Sequence, residues 1–347
     1  MTKLPVEFPV FPDSCTSKLC KHLSREVFTA LKDKQTVNGF TLQQAIYSGV
    51  ANPDSGIGVY AGDEASFTTF APLFDPIIED YHGFSKDSAH KSNLNPNDLD
   101  APNPDPDGDY IISTRIRVGR NVAGFPLGPA ITRRQRNEIE QQVSAVLNEL
   151  EGKLAGTYYP LKGMSEADST QLIADHFLFK AGDRFLEAAG LNRDWPEGRG
   201  IYHNDEKTFL VWINEEDQLR IISMQMGGDI KQVFTRLSTA ISKIENKVKF
   251  AYTDHLGYLT SCPTNLGTAM RASVHIKLPK LATDMDLFKK IADQYHLQIR
   301  GIHGEHSESE GGVYDISNRR RLGVTEVECV QDMYDGAVAL IAKEKAL

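Results

Sequence analysis

Residues 83–108, GFSKDSAHKSNLNPNDLDAPNPDPDG, carry no periodic apolar pattern and are dense in Pro, Asp and Asn. A stretch of that composition cannot bury a face of its own, so it divides the chain into two units joined by a linker. The expected division is 1–82, 83–108 and 109–347. The first unit reads as helical. Ser24 can cap a helix through Val27, Phe28 and Leu31, and Thr41 one through Leu42, Ala45 and Ile46. APLFDPIIEDYHGF then spaces Leu73, Phe74, Ile77, Ile78 and Tyr81 for a third.

The second unit changes texture. YIISTRIRVGR alternates like a strand, and Thr132 with Gln135 can form a capping box for a helix burying Ile139, Val143, Leu147 and Leu150. TFLVWIN and LRIISMQM flank the polar turn EEDQ and predict a hairpin. Ile230, Val233, Phe234, Leu237, Ile241 and Ile244 make a helical stripe, and GYLTSC and RASVHIKLP predict further strands. Hairpins without strict βαβ alternation favour an antiparallel α+β domain over a doubly wound one, after a mostly helical first unit.

Composition removes several classes of function. The net charge of −9 is opposite in sign to that of a nucleic-acid binder. No apolar run reaches the roughly 18 residues of a membrane helix. The opening MTKLPVEFPVFPDS lacks the basic-then-apolar layout of a signal peptide, so a cytoplasmic chain is expected. Cys15, Cys20, Cys262 and Cys329 form no CxxC pair and no ligand set with nearby histidines, so reduced thiols are expected rather than a zinc site. The P-loop, Rossmann, protein-kinase, GxSxG and HExxH signatures are missing.

What the second unit offers is arginine on strands. Arg115 and Arg117 stand at i and i+2 and so share a face; Arg220 and Arg271 open strands, and Arg300 ends one before a glycine loop. Arginine among β-branched residues is expensive to bury without an anion, and its guanidinium binds phosphate oxygens in pairs. For any one of them, snorkelling to solvent or a local carboxylate is an equal explanation. Five together point to a polyphosphate cradle. Glu215, Glu216 and Asp217 crowd the hairpin turn, and Glu305, Glu308 and Glu310 lie in GIHGEHSESEGG, whose composition suits a mobile lid that excludes water. Cys262 is either a buried inert thiol or, near arginines, one of lowered pKa. NPDSGIGVYAGD (52–63) is either a plain surface connection or a loop whose backbone meets a ligand.

CPTNLGT (262–268) resembles the signature of the phosphagen kinase family. STRIRVGRN, GTYYPL, DHFLFKAGDRF, GRGIYHND, KTFLVWINEED, MRASVHIKLP and EGGVYDISN resemble further family segments in the family's order, from about residue 17 onward. The resemblance implies an α+β fold, with a small all-helical N-terminal domain followed by a larger domain with an antiparallel β-sheet flanked by helices. It also implies reversible transfer of the ATP γ-phosphoryl group to a guanidino nitrogen, with Mg²⁺ on the nucleotide. It assigns Arg115, Arg117, Arg220, Arg271 and Arg300 to the phosphates and His176 and His275 to the adenosine. Glu216 and Glu305 are then the carboxylates that hold the guanidinium and act on it, with Cys262 beside them. DSGIGVY resembles the arginine-specific form of the family's specificity loop, so Ser55, Gly56, Ile57, Gly58, Val59 and Tyr60 are assigned to the substrate's carboxylate, and Tyr81 agrees with that pattern. The implied partners are a guanidino substrate and MgATP, in a chain expected to be a monomer. Taurocyamine, glycocyamine and creatine are alternative acceptors; a protein-arginine kinase and an inactive nucleotide sensor are the other readings. Two departures stand out: Gln218 where arginine-specific members have His, and Ile302 and His303 where they have Thr and Arg.

Overall fold

The structure is a computed structural model, and it describes residues 7–174, 177–301 and 311–347. The N-terminal part is built of helices α1 (Lys18–His22), α2 (Arg25–Leu31), α3 (Leu42–Ala51), α4 (Ser66–Thr69) and α5 (Ala71–His82). The caps fall where the sequence predicts them: the Ser24 side chain accepts from Val27 N–H, and Thr41 and Gln44 form a capping box. Helix α5 ends at Gly83 in the left-handed conformation, φ +65°, which glycine adopts at least cost. Leu73, Phe74, Ile77 and Ile78 are buried as expected, while Tyr81 is 47% exposed.

The larger part is one eight-stranded antiparallel sheet. Its strands are β1 (Ile111–Arg120), β2 (Gly156–Pro160), β3 (Gly200–Asn204), β4 (Phe209–Ile213), β5 (Leu219–Met226), β8 (Met270–Lys277), β9 (Leu297–Arg300) and β10 (Val313–Asn318), in the order β2-β3-β4-β5-β1-β8-β10-β9. β6 (Tyr252–Thr253) and β7 (Gly257–Tyr258) form a separate two-stranded ribbon. The other helices are α6 (Arg133–Leu147), α7 (Glu166–Ala174), α8 (Arg184–Ala188), α9 (Ile230–Glu245), α10 (Met285–Gln294) and α11 (Glu326–Ala346). Alternation decides which way the sheet faces. Ile116 and Val118 of β1, Leu219 and Ile221 of β5, and Ala272 and Val274 of β8 join the core under α9 and α11. The alternate residues turn to the other face, and these include the arginines.

One expectation needs correction. GYLTSC is a strand only at Gly257–Tyr258. Beyond it the carbonyls of Leu259 and Ser261 accept from the Asn121 side chain and from Ala61 N–H, so the backbone is satisfied without a ladder. The 83–108 segment, predicted as a connecting stretch, is strapped along the sheet domain by side chains rather than by its own core. Asp105 accepts from the amides of Asp109, Tyr110 and Ile111, Lys231 Nζ donates to Leu99 O, and Ser238 Oγ donates to Leu94 O. The helical part is not closed on itself either: its apolar cluster takes in Leu127, Leu191, Leu256, Leu259 and Leu266 of the sheet domain.

The strap is pinned by a buried charge pair. Glu326, at the start of α11, accepts from Ser92 Oγ and Asn93 N–H, both at 2.9 Å, and faces Arg120 Nη2 at 3.6 Å. Arg120 also donates to Gly119 O and Thr268 O, and its guanidinium lies 3.4 Å from the Tyr258 ring centroid. Both charged side chains are fully buried. Glu326→Ala should therefore destabilise the chain by about 3–5 kcal/mol, because it leaves a buried cation uncompensated. Urea denaturation measures this, and a loss under about 1 kcal/mol would mean that carbonyls and the tyrosine ring suffice for Arg120.

Candidate active site

The register of the sheet brings all five predicted arginines onto one face. Arg117 stands directly opposite Arg271 across β1 and β8, and Gly119, two residues on, stands opposite Arg220 of β5. His275 pairs with Asp315 of β10, and Asp315 with Arg300 of β9. In an antiparallel pair, residues directly opposite point the same way. This face has its own small apolar cluster at one side, Leu178, Phe179, Ile201, Leu210, Trp212 and Ile222, and Arg115 lies over the Trp212 ring at 5.7 Å.

The cations are unequally compensated. Arg220 is held by Glu215 at 2.8 Å and Glu216 at 3.0 Å, with Asp217 at 4.0 Å; against burial, those carboxylates raise its pKa. Arg271 Nη2 meets Asp315 Oδ2 at 2.9 Å. Against burial, His275 and Arg271 hold that carboxyl down at about 2. Arg300 donates to Gln298 Oε1. Arg115 and Arg117 have no ion pair among the described residues. Burial first, then repulsion from Arg271 and Arg220, lowers Arg115 to about 10; burial with Arg220, Arg115 and Arg271 drives Arg117 well below its ordinary value. A guanidinium whose charge is opposed in this way gains most from an arriving anion.

Beside this face sits the acidic turn. Glu216 Oε2 accepts from Arg220, and its Oε1 accepts from Asn265 Nδ2 at 3.3 Å. Asn265 belongs to the CPTNLGT segment, which Arg321 steadies through Thr264 O and the Asn265 side chain, and His82 of α5 bonds Pro263 O at 2.8 Å. Cys262 is buried, with Sγ 3.0 Å from Thr264 Oγ1. The alternative of a lowered thiol pKa is not met in the free chain: burial and then Glu216 push it up to about 12. Of the arginines it was expected to feel, Arg220 is already held by Glu215 and Glu216, and Arg271 by Asp315. A guanidinium inserted between Cys262 and Glu216 would reverse that direction. Asp217, fully buried, is pushed up to about 7 by burial and by Glu216.

The 55–60 loop closes the other side. The amides of Lys18 and Leu19 donate to Gly56 O and Ile57 O, and Gly49 N–H to Gly58 O. Gly58 has φ +81°, and a Cβ there would lie 2.8 Å from Leu19 Cβ, so only glycine lets the loop lie this close to α1. The amides of Gly56, Ile57, Gly58 and Val59 donate to no described residue. Tyr60 is buried near Cys262 and Glu216; burial and these neighbours push its phenol upward. Ala61 N–H donates to Ser261 O, tying the loop to the thiol segment, and Asp54 pairs with Arg184 of α8. The loop is therefore no plain surface connection.

His176, Glu305, Glu308, Glu310, Ile302 and His303, with the predicted lid, lie outside the described residues. Asp315, Asn265 and Arg321 were not singled out from sequence. Asp315 had a readable signal, a lone carboxylate at period two with Ser317 in VYDISN. Asn265 and Arg321 had none, since their partners lie far off in the chain.

Comparison with known proteins fits this geometry. Residues 138–347 match the family model for the ATP:guanido phosphotransferase C-terminal catalytic domain, and residues 13–79 that for its N-terminal domain. Arginine kinase Lit v 2 of Penaeus vannamei is 57% identical over 335 residues, covering 96% of this chain and 94% of that protein. An arginine kinase of Anthopleura japonica is 59% identical over 346 residues, and this chain, matched over 97% of its own length, spans about half of it, 48%. Among solved structures, a lombricine kinase superposes with TM-score 0.92 at 40% identity, covering 100% of this chain and 96% of that one. The duplicated taurocyamine kinase of Schistosoma mansoni superposes with TM-score 0.90 at 44% identity, covering 96% of this chain and 47% of that one. On both the domain matches and the near full-length relatives, the chain belongs to the ATP:guanido phosphotransferase family.

Proposed function

We propose that the chain catalyses reversible transfer of the ATP γ-phosphoryl group to a guanidino nitrogen of L-arginine, giving phosphoarginine and ADP. The observation that carries this is Arg115 and Arg117, without an ion pair among the described residues, on a sheet face that ends at Glu216 and Cys262. Arginine as acceptor is supported by the 57–59% identity to arginine kinases, against 40–44% to the lombricine and taurocyamine enzymes. The 55–60 loop supports it too, with backbone amides available for a carboxylate.

In this reading the triphosphate lies across Arg115, Arg117, Arg220, Arg271 and Arg300, with the adenosine against His275 and His176. The described residues contain no cluster of three metal-ligating side chains. In this reading Mg²⁺ would arrive on the phosphates, where it neutralises charge on the transferring group. A free guanidinium, with a pKa above about 12, is a poor nucleophile. Glu216, and on the family resemblance Glu305, would orient the attacking nitrogen and accept its proton late in the transfer. Cys262 flanks the guanidinium, and Ser55, Gly56, Ile57, Gly58, Val59 and Tyr60 receive the far carboxylate. Catalysis is then mostly alignment and charge stabilisation. A monomer in the cytoplasm completes this reading, and the four free thiols suit that compartment. No described helix is long and apolar enough to cross a membrane.

A coupled assay for ADP release with L-arginine, taurocyamine, lombricine, glycocyamine and creatine tests the acceptor. Fastest turnover with arginine is expected; turnover of another compound alone would overturn arginine while leaving the chemistry. Glu216→Gln should lower kcat by about 10²–10⁴ while the melting temperature holds, and near-normal kcat would remove it from the reaction. Arg271→Ala should lower kcat by about 10²–10³ through lost stabilisation of developing charge. An effect confined to KM would make Arg271 a ground-state phosphate ligand only.

A further inference from the structure

Behind the acidic turn lies a side chain that touches no expected substrate atom and yet bonds both halves of the guanidino site. Asn121 follows Arg120, the last residue of β1, and is buried. Its Nδ2 donates to Asp217 Oδ1 and to Leu259 O, both at 2.9 Å, and its Oδ1 accepts from Gln218 N–H at 3.0 Å. Its own carbonyl accepts from Ala251 N–H at 2.7 Å, and Ala251 O accepts from Leu259 N–H at 3.0 Å. Both Nδ2 hydrogens are thus spent on groups about 100 or more residues away in sequence, one on the turn beside Glu216 and one on the run leading to Cys262.

We propose that Asn121 is a positioning residue for phosphoryl transfer: its carboxamide locks the 215–217 turn to the 259–262 segment, and so fixes Glu216 relative to Cys262. The inference rests on the guanidino phosphotransferase reading above. Gln218 extends the lock, accepting from Val122 N–H at 2.7 Å and donating to Pro126 O at 2.7 Å. From Leu259 the constraint passes to Ser261, whose carbonyl holds Ala61 next to the 55–60 loop. None of these bonds involves Arg115, Arg117 or Arg271. Loosening them disturbs the acceptor while leaving Arg115, Arg117 and Arg271 of the phosphate cradle in place, with Arg220 the cradle residue that touches the turn, and a misplacement of about 1 Å in reacting groups can lower rate by about 10².

Shape alone is separable from hydrogen bonding, because Asn121→Asp is isosteric. It keeps an acceptor for Gln218 N–H but removes both donors and sets a second carboxylate against Asp217 and Leu259 O. With arginine and MgATP, Asn121→Ala and Asn121→Asp should each lower kcat by about 10², with KM for MgATP and affinity for MgADP within about two-fold of wild type. The pH profile adds a readout that packing would not move. Asp217 faces Glu215, Glu216, Arg220 and the Cys262 thiol, and the Asn121 donor favours its ionised form. Without that donor Asp217 takes up its proton at higher pH, so the deficit of Asn121→Ala should be largest near pH 7 and shrink toward pH 9. Wild-type kcat in Asn121→Asp, or a kcat loss matched by loss of MgADP affinity, would overturn the positioning role. If either variant fails to fold, Asn121→Ser, which keeps one hydroxyl, carries the comparison: a smaller loss confined to kcat supports the role, and unchanged kcat overturns it. Wild-type turnover in the same assay judges the functional reading separately, since its absence overturns that reading and the positioning role with it.

Discussion

Mutual repulsion among guanidinium groups is the constraint around which this molecule is arranged. Two unit charges about 6 Å apart repel by about 3 kcal/mol at an effective dielectric near 20; Arg115 feels Arg271 and Arg220, and Arg117 feels Arg220, Arg115 and Arg271. Such a set persists only on a support that does not yield. The opposite face of the same strands supplies it, with Ile116, Val118, Ile221, Ala272 and Val274 fully buried beneath helices. Compensation is then distributed unevenly: three carboxylates surround Arg220, one holds Arg271, and among the described residues none pairs with Arg115 or Arg117 of β1. The centre of the face is consequently where a polyanion is best received.

Much of this was legible in the sequence because it follows from periods and caps. Arg115 and Arg117 two apart on a strand must share a face, and the EEDQ turn fixes the hairpin that brings Arg220 beside them. The boxes at Thr41 and Thr132 start their helices where local hydrogen bonding demands. Strands β2 and β3 were harder, since GTYYP and GIYHN are short and carry little alternation. The direction of the Cys262 shift depends on burial and on Glu216, neither visible until the chain is folded. The same holds for the 83–108 segment, whose order comes from partners such as Lys231, Ser238 and Glu326 far along the chain.

The departure at Gln218 takes on a meaning that the sequence alone withheld. Its amide oxygen and nitrogen are spent on Val122 N–H and Pro126 O, 2.7 Å each, so the side chain acts as an uncharged clip between the acidic turn and the end of β1. An imidazole offers one acceptor and one donor only in its neutral form, and protonation would place a second donor against Val122 N–H. A glutamine keeps the clip across the whole pH range. In this chain the connection behind the carboxylates therefore carries no titratable group.

The 55–60 loop and the thiol segment of the proposed site come from separate units, yet their relation is set by a few directional bonds rather than by apolar contact alone. Gly49 and Gly58 approach so closely that a Cβ on Gly49 would lie 2.4 Å from Gly58 O, which fixes the loop to α3. Ala61 N–H on Ser261 O and His82 on Pro263 O then tie the helical part to the thiol segment from two sides. Apolar packing tolerates small slips, whereas hydrogen bonds at these distances lose strength with small changes of angle. A planar guanidinium needs its nitrogens placed to within a fraction of an ångström for in-line transfer, and bonds of this kind are the means by which a two-part fold can hold that tolerance.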